Sequence, residues 1–79
     1  MDRPESREFE RVRGVVALRI RELRLARGIS QEELADQARC HRTYIGMLER
    51  SQGNPSLLIL ARIASALEVT TNELFAAQG

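Results

Sequence analysis

The sequence predicts an all-α fold of five helices, the second and third of which meet at a sharp turn. Three observations carry that expectation. Apolar residues recur at spacings of three and four along most of the chain, and no stretch alternates every second residue as a half-buried strand would. Helix-start and helix-stop residues punctuate that pattern. Within the twenty residues from Gln31 to Arg50, Leu34, Ala38, Cys40, Ile45 and Leu48 fall at the five apolar positions of a helix-turn-helix. Ala35 falls at its fifth position, where two crossing helices come so close that only a small side chain fits. Two such helices, at roughly 90–120°, share one small core and leave the outer face of the second free. A plain helical hairpin needs neither the small residue nor the punctuation.

Each element has its own signals. Residues 1–6 are polar and include Pro4, so a frayed N-terminal extension is expected over residues 1–8, ahead of a domain spanning 9–79. From about Arg7 the pattern turns helical, with Phe9, Val12, Val16, Ile20 and Leu23 on one stripe. Gly14 costs about 1 kcal/mol inside a helix, so the helix bends there or begins near it. Gly28 supplies a stop after Arg27. Ser30 and Glu33 form an S-x-x-E capping box that starts the second helix at Gln31. His41-Arg42-Thr43-Tyr44 opens the third helix, and the turn chemistry of Ser51-Gln52-Gly53-Asn54-Pro55 ends it. Asn54 and Ser56 are both candidate caps for a fourth helix, which sets Leu57, Leu60, Ile63, Ala64 and Leu67 on one face. Thr70 and Glu73 make a second capping box, opening a short last helix through Leu74 and Phe75.

At 79 residues the chain makes one domain with a modest core. No apolar run approaches the roughly 20 residues of a membrane span, so a cytoplasmic protein with no membrane partner is expected. The net charge of +1 says little, but its distribution says more. Residues 39–55 carry Arg39, Arg42 and Arg50 against Glu49 alone, while residues 68–79 carry only Glu68 and Glu73 as charges. A basic middle and an acidic tail suit DNA on one side and a partner on the other. All 12 basic residues are Arg, the side chain suited to bidentate contacts with phosphate and guanine, although genome base composition accounts for it equally well. Cys40 followed by His41 invites a catalytic or metal reading, but one Cys and one His give no metal set and no triad. Neither a cofactor nor a small-molecule ligand is implied.

Four stretches carry a resemblance: Ile29 to Ala35, Arg42 to Ile45, Leu48 to Arg50, and Asn54 to Leu57. They resemble the phage-repressor (Cro/Xre-like) helix-turn-helix family, and within it most of all the controller proteins of restriction–modification systems. The likeness runs from roughly Val16 to Phe75. It implies a five-helix repressor-like domain whose third helix, about His41 to Arg50, is the recognition helix. It also implies a homodimer on a palindromic operator in double-stranded DNA. By the same resemblance Gln31 meets a phosphate, Arg42 and Thr43 stand where bases are read, and His41, which opens the recognition helix, is among the DNA-binding residues. Tyr44, Arg50 and Asn54 face the backbone, and Arg24 pairs with Glu49 to tie the first helix to the recognition helix. The family's usual glycine at the ninth motif position is Arg39 here, which leaves the turn's conformation open.

The residues themselves agree with these roles. An Arg in the first turn of a groove-bound helix can grip a guanine edge bidentately. Met47, one turn beyond Thr43, either meets a thymine methyl or fills a half-exposed gap; Tyr44 either meets phosphate or packs on the domain. Apolar residues in excess of the core, around Leu58, Val69 and Phe75, are expected to form the dimer interface. The function implied is non-enzymatic, sequence-specific transcriptional control. An antitoxin, whose main partner is a toxin protein, is the alternative; it usually carries an extra partner-binding segment, which residues 1–8 are too short to supply.

Overall fold

In the computed structural model, residues 3–76 are described; they form five helices and no strand. These are α1 (Pro4–Ala26), α2 (Gln31–Ala38), α3 (Arg42–Glu49), α4 (Leu57–Ala66) and α5 (Thr71–Leu74). None of them is long and apolar enough to cross a membrane.

Helix α1 corrects the expectation of a frayed stretch through residue 8. Pro4 sits in its first turn, where a missing N–H costs nothing, and Glu5 meets the positive end of the helix dipole. Glu8 accepts two hydrogen bonds from Arg11 one turn on, at 3.0 and 2.7 Å. These local contacts carry the helix back to Pro4, and the polarity of the segment reflects exposure. The helix also continues unbroken through Gly14. The other limit of the expected domain, residues 77–79, lies outside the described residues.

Four of the helices end in the same way. The residue after the last turn turns left-handed, and its own N–H and that of the next residue fold back onto free carbonyls. The left-handed residue is Gly28 after α1, Arg39 after α2, Ser51 after α3 and Glu68 after α4. At Arg39 the closing bonds are Arg39 N–H to Asp36 O, 3.2 Å, and Cys40 N–H to Ala35 O, 2.9 Å. The starts of α2, α3 and α4 are capped by side chains. Ser30 and Glu33 make the full reciprocal box at α2, and Ser56, rather than Asn54, caps α4 by accepting from Ile59 N–H at 3.1 Å.

The core gathers Ile20, Leu34, Ile45, Leu48, Ile63 and Leu74, each fully buried. Burying each contributes about 1.5–3 kcal/mol before chain entropy is set against it. Helix α2 packs on α3 and α4, α1 packs on α3 and α5, and α4 packs on α5. Ala35 and Ala38 are buried at the close approaches of α2. Two expected core positions lie elsewhere. Leu57 is 78% exposed, because it opens α4 ahead of the core face that begins at Leu60. Phe9 is 40% exposed, because the first two turns of α1 lie outside the packed region. The result is a frame that grips α3 by its inner side and leaves its outer side uncovered.

Candidate nucleic-acid interface

Helix α3 is short, eight residues, and its two faces differ sharply. Ile45 and Leu48 point into the core. His41, Arg42 and Thr43 at its start and Arg50 at its end are exposed. His41 caps the helix: its Nδ1 accepts from the N–H of Thr43 at 3.2 Å. The capping fixes where the helix begins, and so which two side chains, Arg42 and Thr43, occupy its first turn. The Arg42 guanidinium reaches back to α2, where its Nη1 lies 3.7 Å from Oε2 of Glu32.

Gly46 is buried in the middle of α3. A Cβ there would lie 3.2 Å from Nη1 of Arg50 and 3.5 Å from Oε1 of Gln31. The missing side chain therefore lets Gln31, from the start of α2, and Arg50, from the end of α3, lie together over the helix. Arg50 also donates to Gln52 at 3.4 Å. Met47 is half-buried, with its methyl group beside Gly53 in the following loop. Asn54 is exposed on that loop, at the rim of an apolar groove of about 190 Å³ that Phe9, Leu57 and Phe75 help to line. Tyr44 packs its ring against the core, and burial pushes its hydroxyl above the ordinary value of 10.0.

Beneath this surface α3 is tied to α1. Arg24 donates from Nε and Nη2 to the two oxygens of Glu49, at 2.7 and 3.0 Å, and from Nη1 to the carbonyl of Ile29 at 2.9 Å. The Glu49 side chain keeps 2% of its surface and that of Arg24 10%. Gln31 Nε2 adds a third bond to Glu49, at 3.1 Å. Burial alone would raise the Glu49 carboxyl; hydrogen bonds from Arg24 and Gln31, with the charges of Arg24 and Arg21, outweigh it and hold the group below its ordinary 4.5. One fork-to-carboxylate pair thus fixes the rotation of α3, the entry of α2 and the loop after α1 at once.

Residues 20–74 match the helix-turn-helix family HTH_3. The chain belongs to that family. It is similar to the control protein C.SmaI of Serratia marcescens, with 37% identity over 71 residues, 90% of this chain and 84% of that protein. Among solved structures it resembles the restriction–modification controller protein C.AhdI of Aeromonas hydrophila, with 43% identity and a TM-score of 0.78 over 80% of this chain and 96% of that one. The hypothetical transcription factor NHTF from Neisseria superposes with a TM-score of 0.81 and 38% identity, over 84% of this chain and 76% of that one. The family makes this a helix-turn-helix transcriptional regulator, and α2 and α3 lie within the matched residues.

Within that motif the structure brings Gln31, His41, Arg42, Thr43, Met47 and Arg50 onto or beside the outer side of α3. Asn54 stands on the adjoining loop, and Tyr44 turns toward the domain. Sequence reasoning missed three neighbours of this set. Glu32 sits beside Arg42; Gln31 bonds to Glu49; and Arg13 of α1 donates to the carbonyl of Gly53 at 3.0 Å, bracing the loop that carries Asn54. All three join residues of different elements, ten or more positions apart in the sequence, where no local pattern signals the contact. Cys40 is half-buried, and burial pushes its thiol above the ordinary 9.0, which leaves it a poor nucleophile.

Proposed function

We propose that the chain is a restriction–modification controller: a homodimeric, sequence-specific regulator of transcription that acts on a palindromic operator. The observation that carries this reading is the pair Arg42 and Thr43, exposed together in the capped first turn of an otherwise anchored α3. The similarity to C.SmaI and C.AhdI supports the controller class. Arg42 grips a guanine edge through two parallel N–H groups, and Thr43 reads the neighbouring pair. Met47 meets a thymine methyl. Gln31, Arg50 and Asn54 contact phosphates and set the register of the helix in the groove, with His41 and Tyr44 at its margins. Two copies joined through Leu58, Val69 and Phe75 present two recognition helices to successive major grooves, about 34 Å apart. Binding alone performs the task, so no residue acts as nucleophile or general acid and no cofactor is required. The site of action is the cytoplasm, where the operator is.

Selection of binding sites from random duplexes tests the reading. An inverted repeat with a guanine in each half is expected. Arg42→Ala should cost about 1–3 kcal/mol and relax one position of each half-site, whereas Arg50→Ala should weaken all sequences alike and lower the salt slope by about 1. A selected motif without two-fold symmetry would overturn the palindromic operator, and unchanged preference in Arg42→Ala would overturn the base-reading role. At the locus, genes for a methyltransferase and an endonuclease support a controller; a lone toxin gene supports an antitoxin instead.

A further inference from the structure

Arg42 does not stand alone on the outer surface. Its partner Glu32 lies across the motif on α2, and the two side chains are 66% and 75% exposed. In water such a pair is weak and opens readily. Glu32 has no evident part in holding the fold. The capping box of α2 uses the next residue, Glu33, whose carboxylate accepts from Ser30 N–H at 2.9 Å. The tie between α1 and α3 uses Glu49. A carboxylate on a surface that meets DNA is otherwise unfavourable, since affinity there comes from neutralising phosphates.

We propose that Glu32 is a positioning residue for base reading, holding Nη1 of Arg42 so that the Nε–Nη2 edge of the guanidinium faces guanine. The inference rests on the reading of Arg42 as a base-reading residue. A guanidinium is planar and carries five N–H donors in a fixed fork. Guanine takes two parallel N–H groups, on N7 and O6. The fork has two edges able to supply them, and a carboxylate on Nη1 leaves the Nε–Nη2 edge. Because the pair biases the plane before DNA arrives, somewhat less side-chain freedom is lost on binding, and the gain falls on the base contact alone. Elsewhere on DNA the same carboxylate faces phosphates with no base contact to offset it. Glu32 thereby lowers affinity for every sequence and returns it only where Arg42 meets guanine.

The test compares dissociation constants for three duplexes: the selected operator, the operator with the contacted base pair changed, and an unrelated sequence. The proteins are the full chain, Glu32→Gln, Glu32→Asp, Arg42→Ala and the Glu32→Gln/Arg42→Ala double variant. Glu32→Gln should bind the unrelated duplex more tightly. Its discrimination at the changed base pair should fall about three- to fivefold, the size of a surface ion pair's contribution. Glu32→Asp, which keeps the charge on a shorter arm, should lose discrimination without gaining affinity for the unrelated duplex. In the Arg42→Ala background Glu32→Gln should leave discrimination unchanged. If Glu32→Gln tightens all three duplexes equally, the carboxylate is only an electrostatic brake and the proposal is wrong. If discrimination rises, Glu32 competes with guanine for Arg42, and the proposal is again wrong. Should Arg42→Ala itself keep full discrimination, the fault lies in the base-reading assignment, and the proposal falls with it.

Discussion

Arg39 adopts φ 57° and ψ 49°, a backbone region that opposes a Cβ and suits glycine. It is there because α2 must stop abruptly for α3 to cross it, and the two closing hydrogen bonds at the turn outweigh the strain. Glu68 and Ser51 stand in the same conformation at the ends of α4 and α3. Glu68 has a partner to keep: its carboxylate lies 3.0 Å from Nη2 of Arg27. Arg39 shows no side-chain hydrogen bond or ion pair among the described residues. Arg39→Gly should therefore relieve strain at little other cost, while adding some freedom to the unfolded chain. The net expectation is a gain of up to about 1 kcal/mol, read as a rise of several degrees in the melting midpoint. A clear fall in the midpoint would show that the Arg39 side chain contributes a contact worth more than the strain. Glu68→Gly should gain less, because it gives up the pair with Arg27.

At the scale of elements, the join between α1 and α3 is the Arg24–Glu49 fork. Removing one partner from a buried pair leaves the other uncompensated, so Glu49→Ala should destabilise the domain by about 3 kcal/mol, against roughly 0–1 for an exposed pair. The pH dependence has a definite sign. The folded carboxyl of Glu49 lies below its ordinary 4.5, so its contribution is complete above that value and is lost as pH falls through the lowered folded value. Glu33, lowered by its bonds with Ser30, works in the same sense. The difference between wild type and Glu49→Gln isolates Glu49: the stability gap should be constant near neutrality and shrink in acid below 4.5. A gap independent of pH would mean that the fork contributes through shape alone. The sequence carries some of these facts and not others, for a physical reason. Capping boxes at Ser30 and Thr70, the stops at Gly28 and Ser51, and the buried faces of α2 and α3 depend on neighbours three or four residues away. They could be read directly. The Arg24–Glu49 pair spans 25 positions, so nothing in its surroundings announces it and only the family resemblance pointed to it. Helix α1 was read too short for the same kind of reason. Its first turns are held by a proline, a helix dipole and two exposed ion pairs, Arg3–Glu5 and Glu8–Arg11, with no apolar stripe to reveal them.

At the scale of the whole molecule, the proposed dimer needs a face on which two copies meet. Large apolar side chains are exposed in two regions. Leu18 and Leu25 stand on α1, at 57% and 55% exposure. Leu57, Leu58 and Phe75 stand on α4 and just past α5, at 78%, 61% and 41%, and Phe9 of α1 lines the same groove as Leu57 and Phe75, at 40%. Val69, expected beside them, is half-buried against the core, so a charge there would damage the monomer as well as any interface. Leu58 is the better probe because its side chain is exposed. In the proposed dimer the second region is buried across a two-fold axis, and each copy offers the same patch to the other. Leu58→Glu would then oppose two like charges in a desolvated contact. It should give a folded monomer with an unchanged helical spectrum and much weaker operator binding, since one copy loses the second half-site. Leu18→Glu, equally exposed but on α1, should leave the dimer and its affinity intact. Sedimentation at tens of micromolar reads both outcomes directly. If Leu18→Glu splits the dimer and Leu58→Glu does not, the copies meet through α1, and the spacing of the two recognition helices must be derived again. A wild type that sediments only as a monomer would remove the two-fold axis itself, and the chain would then read a single site with one α3.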